Sequence, residues 1–96
     1  IEQVAAYFRL EHKALAGRKR DKKTALARQV AMYLLREEAN KPLTEIGRLL
    51  GGRDHTTVIY AVNKISTQIN TDPRLRQDVI NIRETIQGLP VPAYQE

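Results

Sequence analysis

The chain has no cysteine and no tryptophan. The first absence excludes a disulfide framework and a Cys-ligated zinc site. Aromatic side chains are only 5% of the 96 residues, so a core must be aliphatic, built from Leu, Ile, Val and Ala. No apolar run approaches the roughly 18 residues of a membrane span. No signal-peptide pattern opens the sequence, and cytoplasm is the default compartment. Catalytic groups are equally scarce. His12 and His55 are the two histidines, no paired-carboxylate motif occurs, and Gly47 to Arg53 lacks the Gly-Lys-Ser/Thr ending of a phosphate loop. Asp54 and His55 do not make a dyad, because neighbours on a helix point about 100° apart. The residues therefore point to neither an enzyme nor a metal site.

What remains is a helical, basic chain. Its length suits one domain, and 42% hydrophobic with 28% charged residues fits a globular fold rather than disorder. Residue 1 is Ile and starts inside an apolar pattern, which reads as a fragment of a longer protein. The net charge of +5 is concentrated. Arg18, Lys19, Arg20, Lys22, Lys23 and Arg28 stand against Asp21 alone, six cations less one anion, while the remaining residues balance. A localised basic segment on a neutral domain suggests an anionic partner. The plainer reading of the same run is a solvated loop of lysines.

Apolar spacing is helical throughout, with no alternating strand pattern. Ile1, Val4, Ala5 and Phe8 share a face. A short turn over His12 to Ala16 stops at Gly17, and the basic segment 17–23 reads as a loop. Thr24 can cap the next helix, with Leu26, Val30, Tyr33 and Leu34 on one side. That helix should end before Asn40-Lys41-Pro42, because Pro42 disfavours helix at Lys41. A short helix takes Thr44 to Leu50, with Ile46, Leu49 and Leu50 inward. Gly51-Gly52 supplies a turn, and a long helix starts near Asp54. Asp72-Pro73 is an N-cap followed by proline at the first helical position. Leu75, Val79, Ile82 and Ile86 then form the stripe of a surface-packed helix ended by Gly88. Residues 1–88 thus form an all-α helical bundle, and 89–96, with Leu89-Pro90-Val91-Pro92, form an extended tail.

The helix after Gly51-Gly52 is the informative one. Val58, Ala61, Val62, Ile65 and Ile69 line its back, while Thr56, Tyr60, Asn63 and Lys64 lie opposite. Its front is richest in donors and acceptors at the N-terminus, where unsatisfied N–H groups and the helix dipole suit phosphate. With the preceding short helix and a tight turn, this is the layout of a helix-turn-helix whose second helix enters the major groove. Asp54 can accept from the cytosine amino group, Thr56 can meet a thymine methyl or a base edge, and His55 can do either. Arg53, Thr57 and Lys64 suit phosphates. Plainer roles stand beside these: Asp54 as the helix N-cap, Thr56 and Thr57 as ordinary first-turn residues, and His55 and Tyr60 as surface residues.

Gly52-Arg53-Asp54-His55-Thr56-Thr57-Val58, followed by Ala61 and Lys64-Ile65, resembles the signature of the C-terminal domain of the DnaA family of bacterial chromosomal replication initiators. Ala27-Arg28-Gln29-Val30-Ala31-Met32, Leu43-Thr44-Glu45-Ile46-Gly47 and the basic loop ending near Arg20 extend the resemblance over residues 1 to 87 in order and spacing. The resemblance implies a domain that docks a protomer on a short, asymmetric, A·T-rich DnaA box at a replication origin. It implies Arg20 in the minor groove, where narrow A·T tracts attract arginine. It implies Asp54, His55 and Thr56 on bases in the major groove, and Arg28, Gln29, Thr44, Arg53, Thr57 and Lys64 on the DNA backbone. Two departures stand out. Position 44, often proline in relatives, is Thr44, and the basic loop is worded differently, so that Arg18 or Lys19 can share the role of Arg20.

The resemblance further implies a bacterial, cytoplasmic, nucleoid-associated protein, ATP bound only by a domain of the full-length chain, and no cofactor within this one. Acidic phospholipids and regulatory proteins are further implied partners. The sequence offers no obvious dimer helix, which fits a domain monomeric on DNA. The alternatives are a protein-interaction bundle, or a DnaA-like helix-turn-helix carried by a regulator or a transposase-type fusion protein.

Overall fold

The computed structural model describes residues 1–88, and among them the chain forms six α-helices and no strand. They are α1 (Glu2–Tyr7), α2 (His12–Ala16), α3 (Lys22–Glu37), α4 (Leu43–Leu49), α5 (His55–Gln68) and α6 (Pro73–Ile86). The all-α bundle read from the apolar spacing is the observed fold. The expected extended tail over 89–96 lies outside the described residues.

The core is mainly aliphatic, as expected, but it also buries Phe8, Tyr7 and Tyr33, which the expectation of a core of Leu, Ile, Val and Ala did not include. Val4 and Phe8 from α1 and its end, Leu15 from α2, and Ala27, Val30, Ala31 and Leu34 from α3 are buried together. Ile46 and Leu50 from the α4 region, Val58, Ala61 and Ile65 from α5, and Leu75, Val79 and Ile82 from α6 complete it. α3 is the central helix and packs chiefly on α5; α4 packs on α5, and α6 on α1. The back of α5 is buried as its periodicity demands, with Val62 and Ile69 half-buried at the margin.

Three local readings need correction. The N-cap of α3 is Asp21, not Thr24: its Oδ2 accepts from the Thr24 N–H at 3.1 Å and from the Thr24 hydroxyl at 3.0 Å. The carboxylate three residues upstream reaches the orphan N–H, so the helix starts earlier and the loop shortens to 17–21. Thr24 itself is buried. The short helix starts at Leu43 and not Thr44, because Pro42 takes the N-cap position. Ile86, placed inward by the stripe, is 48% exposed. It sits on the last turn of α6 and forms the wall of a shallow apolar groove with Ile1, Val4, Leu34 and Leu35. The Asp72 cap is confirmed, with Oδ1 accepting from the N–H groups of Arg74 and Leu75, both at 3.1 Å.

One buried polar network escaped the periodicity. Tyr7, on the inner face of α1, donates its hydroxyl to Asp78 Oδ1 at 2.6 Å and accepts from the Asn81 amide at 3.2 Å. Asn81 in turn accepts from Gln77 at 2.9 Å. The network ties α1 to α6 across the chain. Burial pushes the Asp78 carboxyl above its usual range, against the opposing pull of the Tyr7 hydrogen bond. Burial, and then the bond to Asp78, push the Tyr7 phenol up to about 12.

Candidate nucleic-acid interface

The angle between α4 and α5 is set by glycine at two places. After α4 the chain turns back so that the Arg53 N–H donates to the Gly47 carbonyl at 2.8 Å. A Cβ on Gly47 would overlap the Arg53 carbonyl oxygen and lie 3.1 Å from its carbon. Gly47 is therefore the point where the segment leading into α5 crosses α4 without a side chain between them. Gly51 sits at φ 91°, in the left-handed region, and a Cβ there would overlap the carbonyl oxygen of Ala16 at the end of α2. The turn thus presses directly on the element that leads into the basic loop.

The front of α5 is presented to solvent. Asp54, His55, Thr56 and Thr57 are all exposed, as are Tyr60 and Asn63. Asp54 occupies the N-cap position with extended backbone, yet its carboxylate makes no capping bond to the helix. It instead accepts from the Thr56 hydroxyl at 2.8 Å, while His55 Nδ1 lies 3.0 Å from its other oxygen. The Thr56 hydroxyl, with a smaller contribution from neighbouring His55, holds the Asp54 carboxyl below its usual range. Three side chains that can meet base edges are therefore linked in one exposed cluster. One and two turns further on, Lys64 Nζ lies 5.9 Å from the centre of the Tyr60 ring, which is 62% exposed.

The basic loop lies beside this front. Arg18, Lys19 and Arg20 are exposed. Arg20 borders two hollows: one formed with Gln29, Lys64, Gln68 and the start of α6, the other with Arg18, Arg28, Gly51, Gly52 and Arg53. The first hollow gathers Arg20, Gln29 and Lys64, which are widely separated in sequence, along one surface. The second joins the loop to the helix-turn-helix turn. Thr44 is exposed on the first turn of α4.

Two residues assigned to the DNA backbone are placed differently from the rest. Arg28 is only 8% exposed. Its Nε donates to the Leu15 carbonyl at 2.8 Å, and its Nη2 lies within reach of the carbonyls of Ala14, Gly17 and Lys19 at 3.1 to 3.3 Å. Arg53 is half-buried, with Nη2 donating to the Gly17 carbonyl at 2.6 Å and Nη1 to the Leu50 carbonyl. Burial lowers the pKa of both guanidiniums, and like charge adds to it, from Arg53 upon Arg28 and from Arg18 upon Arg53. Periodicity gave no signal for this. The signal available was spacing, since Arg28 follows the end of α2 closely enough to fold back on it.

Among the described residues no group of three His, Asp or Glu side chains is placed to hold a metal ion. No helix of the described residues is long and apolar enough to cross a membrane.

Comparison with known proteins agrees with this geometry. The family described as the bacterial DnaA protein helix-turn-helix matches residues 1–65, which include α1 to α4 and most of α5. The chromosomal replication initiator protein DnaA of Roseiflexus castenholzii is 52% identical over 91 residues, covering 95% of this chain and 19% of that protein. The DnaA of Chloroflexus aurantiacus is 51% identical over 89 residues, covering 93% and 19%. That of Limosilactobacillus fermentum is 40% identical over 87 residues, covering 91% and 20%. The chain spans about a fifth of the length of the curated relatives it matches.

Proposed function

Because the chain belongs to the bacterial DnaA helix-turn-helix family, we propose that it binds double-stranded DNA sequence-specifically, as the docking domain of a replication initiator on DnaA boxes. The observation that carries this reading is one surface. The exposed Asp54–His55–Thr56 cluster opens α5, and Arg20 borders hollows that run to the turn before α5 and to Lys64 upon it.

In this reading the first turn of α5 enters the major groove, and Asp54, His55 and Thr56 read base edges there. Asp54 is kept ionised by its neighbours, so it acts only as an acceptor, the role that suits a cytosine amino group. Arg20 reaches into the adjacent minor groove, with Arg18 and Lys19 beside it. Gln29, Thr44, Thr57 and Lys64 hold phosphates and fix register. Arg28 and Arg53, which the family resemblance also assigns to the DNA backbone, lie behind this surface with nitrogens on the main chain around Gly17. ATP belongs to another part of the full-length protein.

Titration of labelled duplexes followed by fluorescence anisotropy tests the proposal. The chain should bind a duplex carrying a DnaA box at least tenfold more tightly than a scrambled duplex of equal composition, as expected of a base-reading domain. Its affinity should fall steeply with salt, with a log–log slope near −0.9 per phosphate neutralised. A flat salt plot, or equal affinity for box and scramble, would refute it.

A further inference from the structure

The end of α2 is held from two directions. A helix C-terminus leaves carbonyls without intrahelical partners, and these carry the negative end of the helix dipole. Here the carbonyls of Ala14, Leu15, Gly17 and Lys19 are met by a single guanidinium, that of Arg28 on α3. The Gly17 carbonyl is shared. It accepts from Arg28 Nη2 at 3.2 Å and from Arg53 Nη2 at 2.6 Å. Arg53 belongs to the turn of the helix-turn-helix, and its other terminal nitrogen is bound to Leu50 at the end of α4. The backbone of Gly51 in the same turn packs against the Ala16 carbonyl, closely enough to exclude a Cβ. The residue before the basic loop is therefore joined by one oxygen to the turn that aims α5 and to the central helix.

We propose that Arg28 and Arg53 form a clamp on Gly17 that fixes the basic loop at a set position relative to α5, and that through it they act as positioning residues for two-groove readout. The proposal rests on the function given above. Arg28 holds main-chain carbonyls with Nε and Nη2, and Arg53 holds them with Nη1 and Nη2, so the protein itself fixes the orientation of both guanidiniums. A lysine in the same place keeps the charge and loses the fork that spans two carbonyls. The clamp makes the loop and the recognition helix one rigid reader. Without it, Arg20 stays cationic but samples positions from which the minor groove is missed, and base contacts in the two grooves no longer reinforce each other.

The test uses Arg53→Lys, because Arg53 is only half-buried and lies outside the apolar core; Arg28→Lys, more deeply buried, is the second variant. The first readout is free of DNA. Trypsin cleavage mapped to residues 18–23 reports opening of the loop, and the clamp predicts a rise of about five- to tenfold in either variant, at a temperature where both remain folded. The second is a double-mutant cycle with Arg20→Ala on boxes with A·T-rich and G·C-rich flanks. If Arg20→Ala costs the parent about tenfold on the A·T-flanked box, the cost should fall below about threefold in the Arg53→Lys background. An unchanged Arg20→Ala cost, with Arg53→Lys weakening all duplexes alike, would overturn the clamp and restore Arg53 as a phosphate contact. Should Arg20→Ala show no flank dependence in the parent, the minor-groove reading fails instead. The clamp is then decided by the cleavage rates alone, and unchanged rates overturn it.

Discussion

Replacing Gly47 by alanine sets two effects of known size against each other. Gly47 lies within α4, where alanine is the better helix former by about 1 kcal/mol. On propensity alone the variant would be more stable. The added methyl, however, would overlap the Arg53 carbonyl oxygen and touch Val58 at 3.6 Å. Overpacking costs about 1–3 kcal/mol, and a backbone group cannot rotate away as a side chain can, so a cost of about 3 kcal/mol applies. The clash wins by about 2 kcal/mol. A domain of this size loses about 4–8 °C per kcal/mol, which predicts a fall of about 8–16 °C in Tm by circular dichroism.

The functional consequence follows from where the strain is relieved. The segment 51–54 must lift off α4, which re-aims the first turn of α5, so box discrimination should fall by at least the value of one base contact, about fivefold. Gly52→Ala is the matched control. Gly52 sits at φ 74° with nothing near the site of a Cβ. Alanine there costs about 1–2 kcal/mol of backbone strain without a clash. Its Tm should fall comparably while box discrimination holds. A Gly47→Ala protein that melts with the parent, or equal loss of discrimination in both variants, would refute the reasoning.

Thr56→Ala and His55→Ala should each relax the preference for box over scrambled duplex by about 1–3 kcal/mol in anisotropy titrations, and full discrimination in both would remove the first turn of α5 from base reading. Lys64→Ala should weaken all duplexes alike and lower the salt slope by about one; an unchanged slope would take Lys64 off the backbone. Tyr7→Phe strips the buried Asp78 carboxylate of its donor and should cost about 1–3 kcal/mol in urea denaturation at neutral pH. Asp78→Asn should cost less, since a neutral amide still accepts from Tyr7 and escapes the desolvation of a buried charge. The same pair predicts pH effects of known sign. Because the folded Asp78 pKa lies above 3.8, its contribution is present below 3.8 and is lost as pH rises through the folded value, so Asp78→Asn should remove a gain in stability on mild acidification. Because Tyr7 titrates at about 12 when folded and 10.0 when unfolded, stability should fall from pH 10 upward, and this loss should vanish in Tyr7→Phe.

The helices were legible because their apolar residues recur at a single period, and burial of Val58, Ala61 and Ile65 enforces the face that the period names. The cluster at the start of α5 was legible for the opposite reason: polar groups crowded where a plain helix needs only one cap. Asp54 shows the limit of that reasoning. It holds the cap position, as a plain helix would require, but it bonds to Thr56 and His55 and not to the helix backbone. What could not be read were contacts set by the fold as a whole. Gly47 looks like any helix glycine until Arg53 is laid across it. Tyr7 looks like core until Asp78 and Asn81 arrive from α6. Ile86 kept the period of α6, but on the last turn it only edges an open groove and stays 48% exposed.

The same limit changes how the charge of the chain is used. Read along the sequence, the basic residues from Arg18 to Arg28, with Arg53, count equally toward a DNA footprint. In three dimensions they divide. Arg18, Lys19 and Arg20 are exposed, whereas Arg28 is buried and Arg53 half-buried, each with two nitrogens on main-chain carbonyls. Counterion release depends on the charges that reach phosphates, so if both arginines stay on those carbonyls when DNA binds, the expected salt slope is smaller by about 1.8. Specificity moves the other way. A loop fixed by two guanidiniums delivers Arg20 to one place, and an arginine fixed in place discriminates groove width better than one free to follow any phosphate. On this argument part of the positive charge of the domain is spent on geometry, giving up non-specific affinity for a single rigid reader of two adjacent grooves.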